Sequence, residues 1–235
     1  MVFLHSFEGL RDWPELLGRL AERFTVYAPL HPGVQGSEGA EALDDVVDLA
    51  LAYDEWMEAL GLDGAHLVGH FFGGMVAAEV AAICPGRARR LVLLSPAGLW
   101  LSDIPIPDLV SLPPAELEPL LWKEPESNAA RAWNAPLSEE EKVAAQIERI
   151  QRLAAMGKFV WPLPDKGLKK RLHRVTAPTL LLWGVADRVN PIAYGEEFVR
   201  RIKGSQLRLL PGGHMLPYES PETTARAILD FLTAC

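Results

Sequence analysis

The chain has 235 residues, 49% of them hydrophobic and 23% charged, with a net charge of -8. That mixture excludes collagen, coiled coil and disorder, and it fits one good core rather than two full enzyme domains. The acid excess speaks against a broad phosphate-binding surface, so no nucleic-acid partner is expected. Cys84 falls in an apolar helical pattern and Cys235 is the last residue, so neither a disulfide scaffold nor a zinc site is expected, as in a reducing cytoplasm. No run of about 18 apolar residues is found, so no membrane span is expected. The start Met1-Val2-Phe3-Leu4-His5 lacks the pattern of a signal peptide.

In chain order, Val2 to Leu4 predicts a short buried strand. Asp12 predicts the cap of a helix reaching about Arg23, with Glu15 as capping-box partner. Phe24 to Leu30 predicts a second strand, ended by the turn-rich His31-Pro32-Gly33-Val34-Gln35-Gly36-Ser37. Val46, Ala50, Tyr53, Met57 and Leu60 mark one helix face, stopped by Gly61. Ala65 to His70 predicts a strand and Gly74 to Cys84 a helix. Leu91–Leu94, Thr179–Trp183 and Gln206–Leu210 predict three more strands, and Ser220-Pro221 opens a final helix. Strand and helix alternating at this spacing predict a mostly parallel α/β sheet covered on both faces.

From about Gly98 to Arg174 the pattern changes. Pro105, Pro107, Pro113, Pro114, Pro119 and Pro125 cluster there. Ser138 and Glu141 predict a capping box ahead of an apolar face at Val143, Ile147, Ile150 and Ala154. Residues 99–174 are therefore expected to form a helical cap on a core made of 1–98 and 175–235. Trp100, Trp122, Trp133 and Trp161 lie in the cap and are expected to line a hydrophobic pocket. The basic stretch Lys166, Lys169, Lys170, Arg171 and Arg174 reads as a solvated helix face.

The segment with most chemical content is Leu67-Val68-Gly69-His70-Phe71-Phe72-Gly73-Gly74. A strand runs into a helix through a sharp turn bracketed by glycines, the G-x-S-x-G elbow frame with Phe71 at the middle position. Four further segments keep company with it: Leu4-His5-Ser6-Phe7, the His31–Ser37 loop, Gly184-Val185-Ala186-Asp187 leading to Pro191, and Pro211-Gly212-Gly213-His214. In this order, around an insertion of cap length, the chain resembles the α/β-hydrolase superfamily, of the capped esterase or carbon–carbon hydrolase kind.

The resemblance implies a triad in the order nucleophile, acid, base. By position Asp187 is the acid, His214 the base, and Phe71 stands where the nucleophile would be. Phenylalanine cannot attack a carbonyl, so the usual acyl-enzyme route is not supported. The backbone N–H groups of Phe7 and Phe72 are the oxyanion-hole candidates. Ser95 reads as a turn residue, and Ser6 is not aimed as a nucleophile. His70 reads as packing beneath the sheet edge. His31, His66 and His173 read as loop or surface residues.

Three functions stay open: a hydrolase of small apolar ester or carbon–carbon-bonded substrates with its nucleophile replaced, His-Asp base chemistry of a lyase or cofactor-free oxygenase type, or an inactive ligand-binding relative. A small hydrophobic molecule is the expected partner, with no membrane partner, no cofactor and no metal. No β-hairpin of the kind with which family members usually begin is expected, which would leave 24–30 as an open edge; either a second copy pairs there to give a dimer, or, equally, the start is truncated and stability is reduced.

Overall fold

The computed structural model describes residues 1–7, 9–10, 12–109, 111–135, 138–160 and 166–234. Five parallel strands, β1 (Val2–Leu4), β2 (Ala65–His70), β3 (Ala88–Leu94), β4 (Thr179–Gly184) and β5 (Gln206–Leu210), lie side by side in sequence order. The period-two rule explains the two cores. Val2, Leu4, Leu67, Leu91, Leu93, Leu181 and Trp183 face one side, where α2 (Val46–Ala59), α3 (Phe72–Ile83) and α7 (Ile192–Arg201) pack. Phe3, Val68, Val92, Leu94, Leu180 and Leu182 face the other, under α1 (Glu15–Ala21) and α9 (Pro221–Thr233). Both faces are covered, as an all-parallel sheet requires.

Between β3 and β4 the chain forms α4 (Pro114–Leu121), α5 (Asn128–Trp133) and α6 (Glu139–Val160). Leu117, Leu121, Trp122, Met156 and Phe159 from this stretch are buried in the first core. The Ser138–Glu141 capping box is formed: Ser138 N–H donates to Glu141 Oε2 at 2.7 Å and Glu141 N–H to Ser138 Oγ at 3.3 Å. The short helix α8 (Leu216–Glu219) follows β5.

Several expectations need correction. Residues 24–30 do not form a strand. Their only pairing with β1 is a bridge at Tyr27, with Phe3 N–H to the Tyr27 carbonyl at 2.8 Å and Tyr27 N–H to the Met1 carbonyl at 2.9 Å. The helix expected from Asp12 starts at Glu15 with Pro14 at its N-cap, because Asp12 takes φ 49°, outside any capping geometry. In α2, Leu60 falls past the helix end and is exposed, while Leu49 joins the buried face.

The largest correction concerns α6. Val143, Ile147 and Ile150 are 61%, 51% and 57% exposed, and the buried side is instead Arg152, Met156 and Phe159. The basic stretch is not a helix face either. It forms two single 3-10 turns, and Arg171 makes a bidentate ion pair with the buried Glu79 of α3, both N···O distances 2.6 Å. Lys169, Lys170 and His173 are solvent-exposed as expected.

Candidate functional site

Five strand ends deliver the site, at the carboxyl edge where open parallel sheets bind ligands. β1 leads to Ser6 and Phe7, β2 to Phe71, β3 to Ser95, β4 to Asp187 and β5 to His214.

Phe71 sits between β2 and α3 with φ 45° and ψ -101°. A bulky side chain at positive φ costs of the order of 1–3 kcal/mol and persists only where its surroundings impose it. Here they do. Phe71 N–H donates to the Leu94 carbonyl at 2.9 Å, and its carbonyl accepts from Met75 and Ala97 at 2.9 and 3.0 Å. The neighbouring glycines allow the turn: a Cβ on Gly73 would overlap the carbonyls of Leu4 and His5, and one on Gly69 the carbonyl of Gly73.

Asp187 and His214 meet. His214 Nδ1–H donates to Asp187 Oδ2 at 2.9 Å, with both side chains buried. Asp187 Oδ1 accepts the N–H groups of Val189 and Asn190 at 2.9 and 2.8 Å. Burial alone would raise the Asp187 carboxyl. The facing His214, its ring N–H and the Asn190 N–H outweigh that and hold it below the usual carboxylate range. Asn190 in turn donates through Nδ2 to the carbonyls of Ser95 and Pro96 at 3.2 and 2.8 Å, tying the acid loop to the β3 turn. The His214–Asp187 bond fixes the imidazole with Nε2 turned away from the carboxylate.

That Nε2 is buried and has no hydrogen-bond partner among the described residues. In front of the imidazole lies the Phe71 ring, 4.6 Å between centroids and nearly perpendicular. Neither nearby serine offers its hydroxyl to the imidazole. Ser95, at φ 41°, is buried beside Asp187 but short of hydrogen-bond geometry with it. Ser6 lines the cavity without a hydrogen bond to His214.

The oxyanion candidates lie on either side. Phe72 opens α3, where first-turn N–H groups have no intrahelical acceptor. Phe7 follows β1, and its ring stacks on that of Phe72 at 5.2 Å. A buried pair behind them fixes this loop. His31 donates to the His5 carbonyl at 2.9 Å, its Nδ1 meets the Tyr53 hydroxyl at 2.6 Å, and its backbone N–H donates to His5 Nε2 at 3.1 Å. Both rings are held neutral by burial, which pushes His5 down to about 4 and His31 well below its ordinary value. His31 thus sits in a loop as expected, but its side chain is buried in the core rather than at the surface. His66 is also buried, against Phe24, with its pKa lowered to about 4 by burial and by Arg89. His70 is buried as expected and donates to the His214 carbonyl at 3.0 Å, and burial lowers it to about 3.

The space in front of Nε2 is a cavity of about 10 Å³ reached by Phe7, Phe71, Leu117, Leu121 and Met215, at the lower limit for one water molecule. Arg149 and Arg152 also reach it, and both continue into a groove of about 910 Å³ under α4 and α6. The sequence signal for these arginines was an i, i+3 pair inside a stretch read as apolar. Of the expected lining, Trp133 reaches the outer groove, whereas Trp100 and Trp122 reach neither space. Trp122 is core, packed on Trp133 at 6.1 Å. Trp161 lies outside the described residues. Among the described residues it is Leu117 and Leu121, on the inward face of α4, that line the inner cavity. Among the described residues no group of three His, Cys, Asp or Glu side chains is placed to hold a metal, and no helix is long and apolar enough to cross a membrane.

Comparison with known proteins gives the same picture. The model of the Alpha/beta hydrolase family matches residues 1–227. A 2-hydroxy-6-oxo-6-phenylhexa-2,4-dienoate hydrolase from Burkholderia cepacia is 30% identical over 91% of this chain and 78% of its own. The monoacylglycerol lipase abhd6-A of Xenopus laevis is 25% identical over all of this chain and 75% of its own. The crystal structure of a bacterial membrane phospholipase A superposes with a TM-score of 0.78 at 27% identity, over 98% of this chain and 77% of that one. With its sheet order, its turn at Phe71 and its Asp187–His214 pair in place, the chain belongs to the α/β-hydrolase family.

Proposed function

We propose that this chain hydrolyses small, mainly apolar ester or carbon–carbon-bonded substrates without forming an acyl-enzyme. The observation that carries this is the buried His214 Nε2, oriented by Asp187 and without a partner among the described residues, beside a cavity the size of one water. In this reading His214 takes a proton from that water as the new oxygen–carbon bond forms at the substrate carbonyl. The negative charge collects on the carbonyl oxygen, facing the N–H groups of Phe7 and Phe72. Collapse breaks the bond to the leaving group, which takes the proton back from His214. Residues 99–174 act as the cap, and Arg149 and Arg152 favour a substrate that carries an acid group, as the dienoate in the relative's name does.

A direct assay tests this. Short p-nitrophenyl esters are offered to the protein, to His214→Ala and to Phe71→Ser, with intact-mass spectrometry alongside. Slow turnover without an acyl adduct is expected, lost in His214→Ala. Phe71→Ser should gain at least about 100-fold and show an adduct, since restoring a triad member recovers orders of magnitude. Turnover indifferent to His214→Ala would overturn the reading.

The Phe71 ring on the imidazole, with only about 10 Å³ beside it, favours a second reading, a binding protein without turnover. It predicts no hydrolysis in the unaltered protein but a ligand-dependent rise in melting temperature.

A further inference from the structure

We propose that Glu219 is a positioning residue that locks the loop carrying His214 to the helix above the pocket. Its two carboxylate oxygens serve two separate segments. Oε2 accepts the N–H of Gly213, the residue before His214. Oε1 accepts the N–H of Lys123, two residues beyond α4, at 2.6 Å. Carboxylate acceptors make the stronger class of hydrogen bond. On the other side of His214, Met215 N–H donates to the Leu121 carbonyl at 3.1 Å. The base is thus held between two attachments to the end of α4.

The backbone is shaped for this approach. A Cβ on Gly213 would stand 2.5 Å from the Lys123 nitrogen and 2.8 Å from the Trp122 carbonyl carbon, so only glycine lets the two segments touch. On its other side the Gly213 carbonyl oxygen occupies the place of a Cβ on Gly184 of β4. Glu219 itself ends α8, whose Tyr218 packs on Trp133 of α5 at 4.7 Å. Leu121 belongs both to the clamp and to the cavity wall. A ligand that pushes Leu117 or Leu121 outward therefore pulls on the loop that aims His214.

The inference rests on His214 being the working base, but its test reads the loop and needs no turnover. Amide hydrogen exchange is followed by mass spectrometry in the unaltered protein, Glu219→Ala, Glu219→Gln and Lys123→Pro. Proton NMR follows the hydrogen-bonded Nδ1–H of His214. Glu219→Ala should raise exchange in 114–123 and in 211–216 together, by roughly ten- to a hundredfold from the loss of two charge-assisted bonds. Glu219→Gln keeps its shape and one acceptor oxygen and should fall between. Lys123→Pro removes the donor on the α4 side and puts a ring carbon against the Glu219 carboxylate, and should loosen 211–216 and broaden the His214 signal. Loosening of one segment alone, a uniform rise along the chain, or an unmoved His214 signal in all three variants would each overturn the proposal.

Discussion

At residue 71 two opposing terms meet. The left-handed backbone there costs about 1–3 kcal/mol for any residue with a side chain, while the ring is buried against Phe7 and His214. Phe71→Gly relieves the first and loses the second, which is worth about 3–5 kcal/mol for a large aromatic. The loss wins, so the variant should be less stable by about 2 kcal/mol, a fall in melting temperature of roughly 4–8 °C. It should also open an apolar space beside His214, and added benzene or phenol should recover part of the fall. No recovery would mean that the pocket collapses when the ring leaves. The histidines set the acid limit. His5, His31 and His70 are buried neutral, with folded pKa values of about 4, well below 6.5, and about 3. Their stabilising effect is complete above about pH 6.5 and is lost as pH falls toward 4, because the unfolded chain takes up the protons first, up to about 1.4 kcal/mol per pH unit for each. Asp187 is depressed instead, so its contribution survives this window and fails only below about pH 4. His70→Gln, whose amide can donate to the same His214 carbonyl, should lose less melting temperature between pH 7.5 and pH 5 than the unaltered protein.

At the level of elements, the elbow and the α3–Arg171 contact give the sharpest expectations. Gly73→Ala places a Cβ into the carbonyls of Leu4 and His5. Backbone cannot yield as a side chain would, so a loss of about 3 kcal/mol or more is expected, read as a lower urea midpoint. Arg171→Ala removes the bidentate partner of the fully buried Glu79 carboxylate and should cost about 3–5 kcal/mol, and adding Glu79→Gln should recover part of it. The elements themselves were largely visible in the amino-acid order. Strands β2, β4 and β5 announce themselves as apolar runs bounded by turns, and Ser138 with Glu141 marks the start of α6. What the order did not show was which side of α6 finds a partner. The exposed set Val143, Ile147 and Ile150 has the same period as a buried set, and only the packing of Met156 and Phe159 on the sheet decides. Arg152 was hidden for the same reason.

For the molecule as a whole, four loops of the site, those after β1, β2, β4 and β5, were legible because each follows a predicted strand, and parallel topology brings such loops to one edge. Asp187 and His214 are 27 residues apart and come within 2.9 Å by this rule alone. Contacts that cross between units were not legible. Glu219 reaching Lys123 spans 96 residues, and no local pattern encodes a carboxylate that serves one nearby and one distant backbone. His31 was misplaced likewise, since a Pro- and Gly-rich neighbourhood suggests solvent while Tyr53 and the His5 backbone enclose its ring.

The pairing of β3 with β4 has a consequence for synthesis. These neighbours at the centre of the sheet are separated by residues 95–178, among them α4, α5 and α6. On the ribosome, at about 5–20 residues per second, Leu91 to Leu94 wait several seconds for their partner strand. During that interval a row of unpaired amides flanked by leucine and valine is open to any other extended segment. Yield in a cell should therefore depend on translation speed through 95–178 and on chaperone supply more than on the stability of the finished protein.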